Sequence, residues 1–258
     1  MLKERILKSI DFRKMKCAFV VKNLKTGECG TFNENEVVPS ASLIKVFIMA
    51  EILKQVNEGK LSLKQRIVVD EKVKVPFSIL TMLETNNSYS LLDVITLMIV
   101  QSDNTAANIL MDIAGMNNVN ELIKSLNFKN TILQRKMMDF NAQKENRENL
   151  TTASDMAKMM ELLYKGEVLN KESSAFMIDI LKKQLDTTMM MLNIPDETVV
   201  AHKTGELDYL DHEAGIVYLN NGDYIFCVLV WDAISNNYAR QSLGSISKVV
   251  YDYFKMEG

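Results

Sequence analysis

Cysteine is scarce in this chain of 258 residues, which carries only Cys17, Cys29 and Cys227. An odd count without Cys-x-x-Cys spacing excludes both a disulfide framework and a structural zinc site. The apolar text around all three predicts buried free thiols. Histidine is scarcer, limited to His202 and His212, and two imidazoles among scattered carboxylates make no metal set. Neither sign of charge dominates: 30 Lys and Arg against 33 Asp and Glu leave a net charge of −3, and no basic stripe is visible. That balance excludes a nucleic-acid partner. The first residues, Met1 to Lys8, are charged throughout and lack the apolar segment of a secretory leader. As written, the chain is expected to be cytoplasmic, or extracellular if a leader has been removed, with no membrane partner. Repeats, low-complexity tracts and long linkers are also absent. What remains, 47% hydrophobic and 24% charged residues, is the composition of a globular protein with one large domain or two lobes.

The pattern along the chain divides it. An amphipathic helix at 2–11 precedes a strand at 16–23, a Lys25-Thr26-Gly27 turn and a short strand near 30–33. A long apolar helix starts at Ser42, and from there to about 190 the text is mainly helical, with helices at 91–100, 105–113, 119–126, 153–164 and 173–183. Residues 131–149 have no clean period and read as a long surface loop, a length at which loops are often functional. Strands return at 198–204, 213–219 and 224–231, the last two flanking the hairpin signal Asn220-Asn221-Gly222-Asp223. A helical apolar stripe from Leu243 to Phe254 ends the pattern. The expected fold is α/β: an antiparallel sheet lobe built from both termini (about 1–36 and 192–258), an inserted all-helical lobe (about 37–191), and the active site between them.

Three strings carry chemistry. Ser42 and Lys45, in Ser42-Leu43-Ile44-Lys45, share a helix face. An alcohol needs an adjacent base to act as a nucleophile, and a lysine serves only if burial and a second cation lower its pKa; Lys203 can be that cation. The pair alone also reads as a helix start with a lysine stem lying along the core. Ser102-Asp103-Asn104 offers a hydroxyl relay and an amide, and equally a helix cap. Lys203-Thr204-Gly205 ends an apolar strand, where glycine admits a substrate backbone and Lys203 and Thr204 can bind a carboxylate. His202 faces away from Lys203 on an alternating strand and reads as structural. His212 lies near the strand entry and is left unassigned.

Ser-x-x-Lys, Ser-Asp-Asn and Lys-Thr-Gly in this order resemble the class A β-lactamase and penicillin-binding superfamily, over roughly residues 15–255. The resemblance implies that Ser42 is the acylated nucleophile, that Lys45 activates it, and that Ser102 relays the proton to the leaving nitrogen. It implies that Asn104 contacts substrate and lysine, that Lys203 and Thr204, beside Gly205, bind the substrate carboxylate, and that the N–H groups of Ser42 and Glu206 form the oxyanion hole. No metal or organic cofactor is implied, the partner is a small-molecule substrate, and the chain is expected to be a monomer.

The chain departs from the family at one place. Where hydrolytic members hold a loop glutamate, Leu133-Gln134-Arg135-Lys136-Met137-Met138-Asp139-Phe140-Asn141 aligns Met137 with that glutamate and Asn141 with the asparagine after it. A thioether cannot accept a proton. Asp139 is the nearby carboxylate, and it also reads as an ordinary turn cap. The expectation is a serine hydrolase that forms an acyl-enzyme with β-lactams or a related carboxylate-bearing amide or ester and deacylates slowly. The alternatives are a D-Ala-D-Ala-type peptidase or esterase, and a penicillin-binding or sensing module without turnover.

Overall fold

The computed structural model describes residues 1–84 and 87–256. Helix α1 (Leu2–Lys8) leads into strands β1 (Lys16–Asn23) and β2 (Cys29–Phe32). A short strand β3 (Val38–Pro39) and a 3-10 turn (Ala41–Ile44) precede helix α2 (Lys45–Asn57). Next come β4 (Arg66–Val68), β5 (Ser88–Ser90), α3 (Leu91–Val100), α4 (Asn104–Ala114), α5 (Met116–Ser125) and α6 (Phe140–Lys144). Then follow β6 (Leu150–Thr151), α7 (Ala153–Lys165), α8 (Lys171–Leu181), β7 (Val200–Leu207), β8 (Leu210–Val217), β9 (Tyr224–Trp231) and α9 (Asn236–Met256).

The main sheet has the order β2-β1-β9-β8-β7, antiparallel at every pairing. Strands from the two ends of the chain meet at its centre, where Phe19 pairs with Val228 and Lys16 with Trp231. β9 is apolar without a break because helices cover both faces of the sheet. Ile225, Cys227 and Leu229 enter the core shared with α2, α3, α4, α5, α7 and α8. Phe226, Val228 and Val230 enter a second core with α1 and α9. Each such aliphatic or aromatic side chain contributes about 1.5–3 kcal/mol by leaving water.

The structure corrects several local expectations. The long helix begins at Lys45, so Ser42 lies in the 3-10 turn that leads into it. The helical insertion also holds two short ladders, β3 with β6 and β4 with β5, which are too short for a strand period to show in sequence. The segment 131–149 contains the five-residue helix α6, because the Asp139 carboxylate accepts from Ala142 N and starts a turn. Of the three thiols, Cys17 and Cys227 are buried but Cys29, on edge strand β2, is exposed. Burial pushes the Cys17 thiol up to about 12. Among the described residues, no helix is long and apolar enough to cross a membrane, and no group of three or more His, Cys, Asp or Glu could hold a metal ion.

Candidate active site

Ser42 is half-buried on a turn that is fixed from three directions. Leu43 N donates to Ser40 O at 3.0 Å and closes the turn, while Ser40 N donates to Asn149 O at 2.7 Å. Below it, His212 Nε2 lies 2.9 Å from Pro39 O, and Val230 N donates to His212 Nδ1 at 3.1 Å. A carbonyl only accepts and an amide N–H only donates, so His212 is the neutral tautomer protonated on Nε2. Burial pushes its pKa down to about 4. The side is closed by β7. A Cβ on Gly205 would lie 3.2 Å from Ala41 Cβ and 3.3 Å from both Leu43 Cγ and Ser40 O, so glycine here allows the strand to reach the turn that carries Ser42. Glu206 follows, which places the two backbone segments named for the oxyanion hole against each other.

Lys45 is wholly buried. Its Nζ donates to Ser102 O at 2.6 Å and Asn104 Oδ1 at 2.9 Å, and lies 3.2 Å from Ser102 Oγ. Burial, and then the charge of Lys203, pushes its pKa well below the usual lysine value. A neutral amine has two N–H groups, which the two carbonyl oxygens satisfy, and one lone pair left for a hydroxyl. Lys203, also wholly buried, donates from Nζ to Ser102 Oγ at 3.0 Å and to Thr204 O at 2.9 Å. Burial lowers it to about 8, against the opposing pull of Glu213 and Asp186. Ser102 Oγ therefore sits between two amines. No hydrogen bond among the described residues joins Ser42 Oγ to Lys45, whose amine instead binds Ser102 and Asn104.

The Ser-Asp-Asn segment starts a helix and sets its serine between the two lysines. Asp103 Oδ1 accepts from Ala106 N and from Ser78 Oγ, each at 2.8 Å, so it caps α4 and ties down the 76–81 loop. Asn104 N donates to Phe77 O at 3.2 Å. Ser102 has φ +53° and Ala41 has φ +46°, conformations that L side chains adopt only when their surroundings impose them. Both strained residues lie beside or within the motif strings.

The loop residues are placed unequally. Met137 is buried at the edge of the main core, and Asn108 grips its backbone from both sides. Asp139 caps α6, while Asn141 is exposed on that helix. The loop neck is closed by Arg135 with Glu148, at 2.7 Å, and by Asn149, which accepts from Gln134 N and Arg135 N. Thr204 and Glu206 share one face of β7, opposite Lys203 and Gly205. His202, on the Thr204 face, binds buried Glu213 through Nδ1 at 2.8 Å. Sequence reasoning missed Asn108, Phe77 and Arg240. The 80% exposure of Phe77 and the pairing of Arg240 with Glu206 depend on tertiary placement that no string reports. Two clefts, about 300 and 570 Å³, lie elsewhere and include none of the motif residues.

A family model described as the β-lactamase enzyme family matches residues 1–254. The chain belongs to that family. It is 24% identical over 262 residues to the β-lactamase VEB-1 of Pseudomonas aeruginosa, covering 90% of this chain and 86% of that protein. Among solved structures, the TLA-3 extended-spectrum β-lactamase superposes with TM-score 0.91 at 25% identity, covering 98% of each chain. PBP-A superposes with TM-score 0.90 at 26% identity, over 99% of this chain and 96% of that one. A mutant of PBP-A is known as an acyl-enzyme complex with penicillin G. The mixed α/β architecture with its five-stranded antiparallel sheet is thus the β-lactamase fold.

Proposed function

We propose that this protein is a serine acyl-transfer enzyme that opens β-lactams, or a related carboxylate-bearing amide or ester, and releases the acyl group slowly. The observation that carries the reading is Ser102 Oγ between the buried amines of Lys45 and Lys203. Ser42 Oγ attacks the lactam carbonyl, and its proton passes to the neutral Lys45. The carbon–nitrogen bond breaks, and the nitrogen takes a proton through Ser102. The oxyanion is held by the N–H groups of Ser42 and Glu206, and Lys203 with Thr204 meets the carboxylate. Release needs a water and a base. Met137, gripped by Asn108, supplies neither, and Asp139 is engaged as a helix cap.

The same observation at Met137 favours a second reading, a penicillin-binding module with no effective turnover. One experiment tests both: intact mass of the protein followed over time with benzylpenicillin, with Ser42→Ala in parallel. A lasting adduct of one penicilloyl group, absent from Ser42→Ala, supports the acyl-enzyme. Rapid consumption of penicillin without an adduct overturns slow release, and neither adduct nor consumption overturns the β-lactam reading.

A further inference from the structure

Arg240, on α9, reaches back to the end of β7. Its Nη2 forms an ion pair with Glu206 Oε2, its Nε lies 3.4 Å from Asp211 Oδ1, and its Nη1 donates to Thr188 Oγ1 at 3.4 Å. Glu206 and Asp211 are direct cross-strand partners, so one guanidinium spans two carboxylates of adjacent strands. Asp211 is fully buried and is also held by Asn236 Nδ2 at 2.8 Å. It anchors the arginine. Glu206 is different: its side chain is 53% exposed, on the same face as Thr204, against 28% exposure for Arg240.

An incoming carboxylate at this end of the strand meets few available cations. Lys203 is wholly buried and already donates to Ser102 and Thr204. Arg240 is a partly exposed cation nearby, and its guanidinium is already paired with Glu206 and Asp211. Glu206 is the carboxylate that reaches the exposed side of Arg240, while buried Asp211 holds it from within. A guanidinium pairs most strongly with a carboxylate at close range, and a neighbouring negative charge opposes a second anion.

We propose that Glu206 is a specificity-determining residue: its carboxylate occupies Arg240 as an internal competitor and disfavours ligands that carry a carboxylate at this end. The inference rests on the acyl-transfer reading for the ligand's orientation. It means that the carboxylate of an ordinary penicillin is met by Lys203 and Thr204 without help from Arg240, and is held more weakly than it would be with Arg240 free. The backbone N–H of Glu206 keeps its place in the oxyanion hole whatever the side chain does.

The test is calorimetric binding in a Ser42→Ala background, where no bond forms. Benzylpenicillin and its methyl ester are compared with and without Glu206→Gln, at low and high salt. The expected result is benzylpenicillin binding tightened roughly five- to tenfold by Glu206→Gln, as for a newly available charged pair. The gain shrinks with salt, disappears when Arg240→Ala is added, and is absent for the ester. Equal or weaker penicillin binding, an equal gain for the ester, or no detectable penicillin binding in any variant overturns the proposal. Failure of the acyl-transfer reading shows separately, as no Ser42 adduct in the parent protein.

Discussion

Asn108 holds the backbone of Met137 at both ends: Asn108 Oδ1 accepts from Met137 N at 2.7 Å, and Asn108 Nδ2 donates to Met137 O at 3.0 Å. The backbone is fixed as though to present a functional side chain, and the side chain is a thioether. Met137→Glu should therefore place a carboxylate with little rearrangement. A positioned general base contributes about 10²–10⁴-fold. Accordingly, the penicilloyl adduct of Met137→Glu should decay about 10²-fold faster than that of the parent, read by mass against time. An unchanged lifetime would mean that the stall lies elsewhere.

The two buried lysines predict the pH dependence of acylation. Lys45 acts as a base only when neutral, and its pKa lies well below the usual value, so its acid limb falls far short of the alkaline range. Lys203 acts as a cation and loses its proton as pH rises through about 8. The second-order rate of adduct formation should fall on the alkaline side from about pH 8, and its acid limb should lie below that of an ordinary lysine. Lys45→Arg cannot lose its proton and should cut the rate by about 10²-fold or more.

Asp211 predicts a dependence of stability on pH. Burial pushes its carboxyl up to about 7 from 3.8, so between those values the folded state binds more protons than the unfolded one. Falling pH then stabilises the fold through this group, and the gain is lost as pH rises through about 7. Asp211→Asn removes the contribution. Relative to the parent, the variant should lose stability as pH falls from 7.5 to 4.5, measured as denaturant midpoints. A constant difference between the two proteins would count against the shifted carboxyl.

Gly205 predicts a mutation that damages activity more than folding. A side chain there meets Ala41, Leu43 and the Ser40 carbonyl at 3.2–3.3 Å, so Gly205→Val must push β7 away from the turn of Ser42. A displacement of about 1 Å costs on the order of 10²-fold in rate. Acylation should fall by about that factor while the variant still unfolds cooperatively. Parent-like acylation would show that the contact is slack.

The strings around Ser42, Ser102 and Lys203 were legible because each packs its chemistry into three or four consecutive residues. β9 was legible because a sheet covered on both faces demands an unbroken apolar run. Other features depend on tertiary contacts that local patterns do not carry. Ser42 leads into its helix through a 3-10 turn, shaped by Ala41 at φ +46° and the close approach of Gly205. α6 arises from a single cap at Asp139. The pairing of Glu206 with Arg240 joins a strand to a helix that begins beyond two further strands. Cys29 reads as apolar text, and only the edge position of β2 exposes it.

The pairing of β1 with β9 has a consequence for how the site comes into being. Ser42, Lys45 and Ser102 lie on segments made early in synthesis, whereas Lys203 and its strand arrive near the end. The sheet cannot close until β9 has emerged to lie between β1 and β8. Closing so distant a pairing places this fold among the slower ones. A nascent chain therefore carries Ser42 for most of its translation without Lys203 and the strand that bring the three motifs together, and the proposed site is assembled in a single late step.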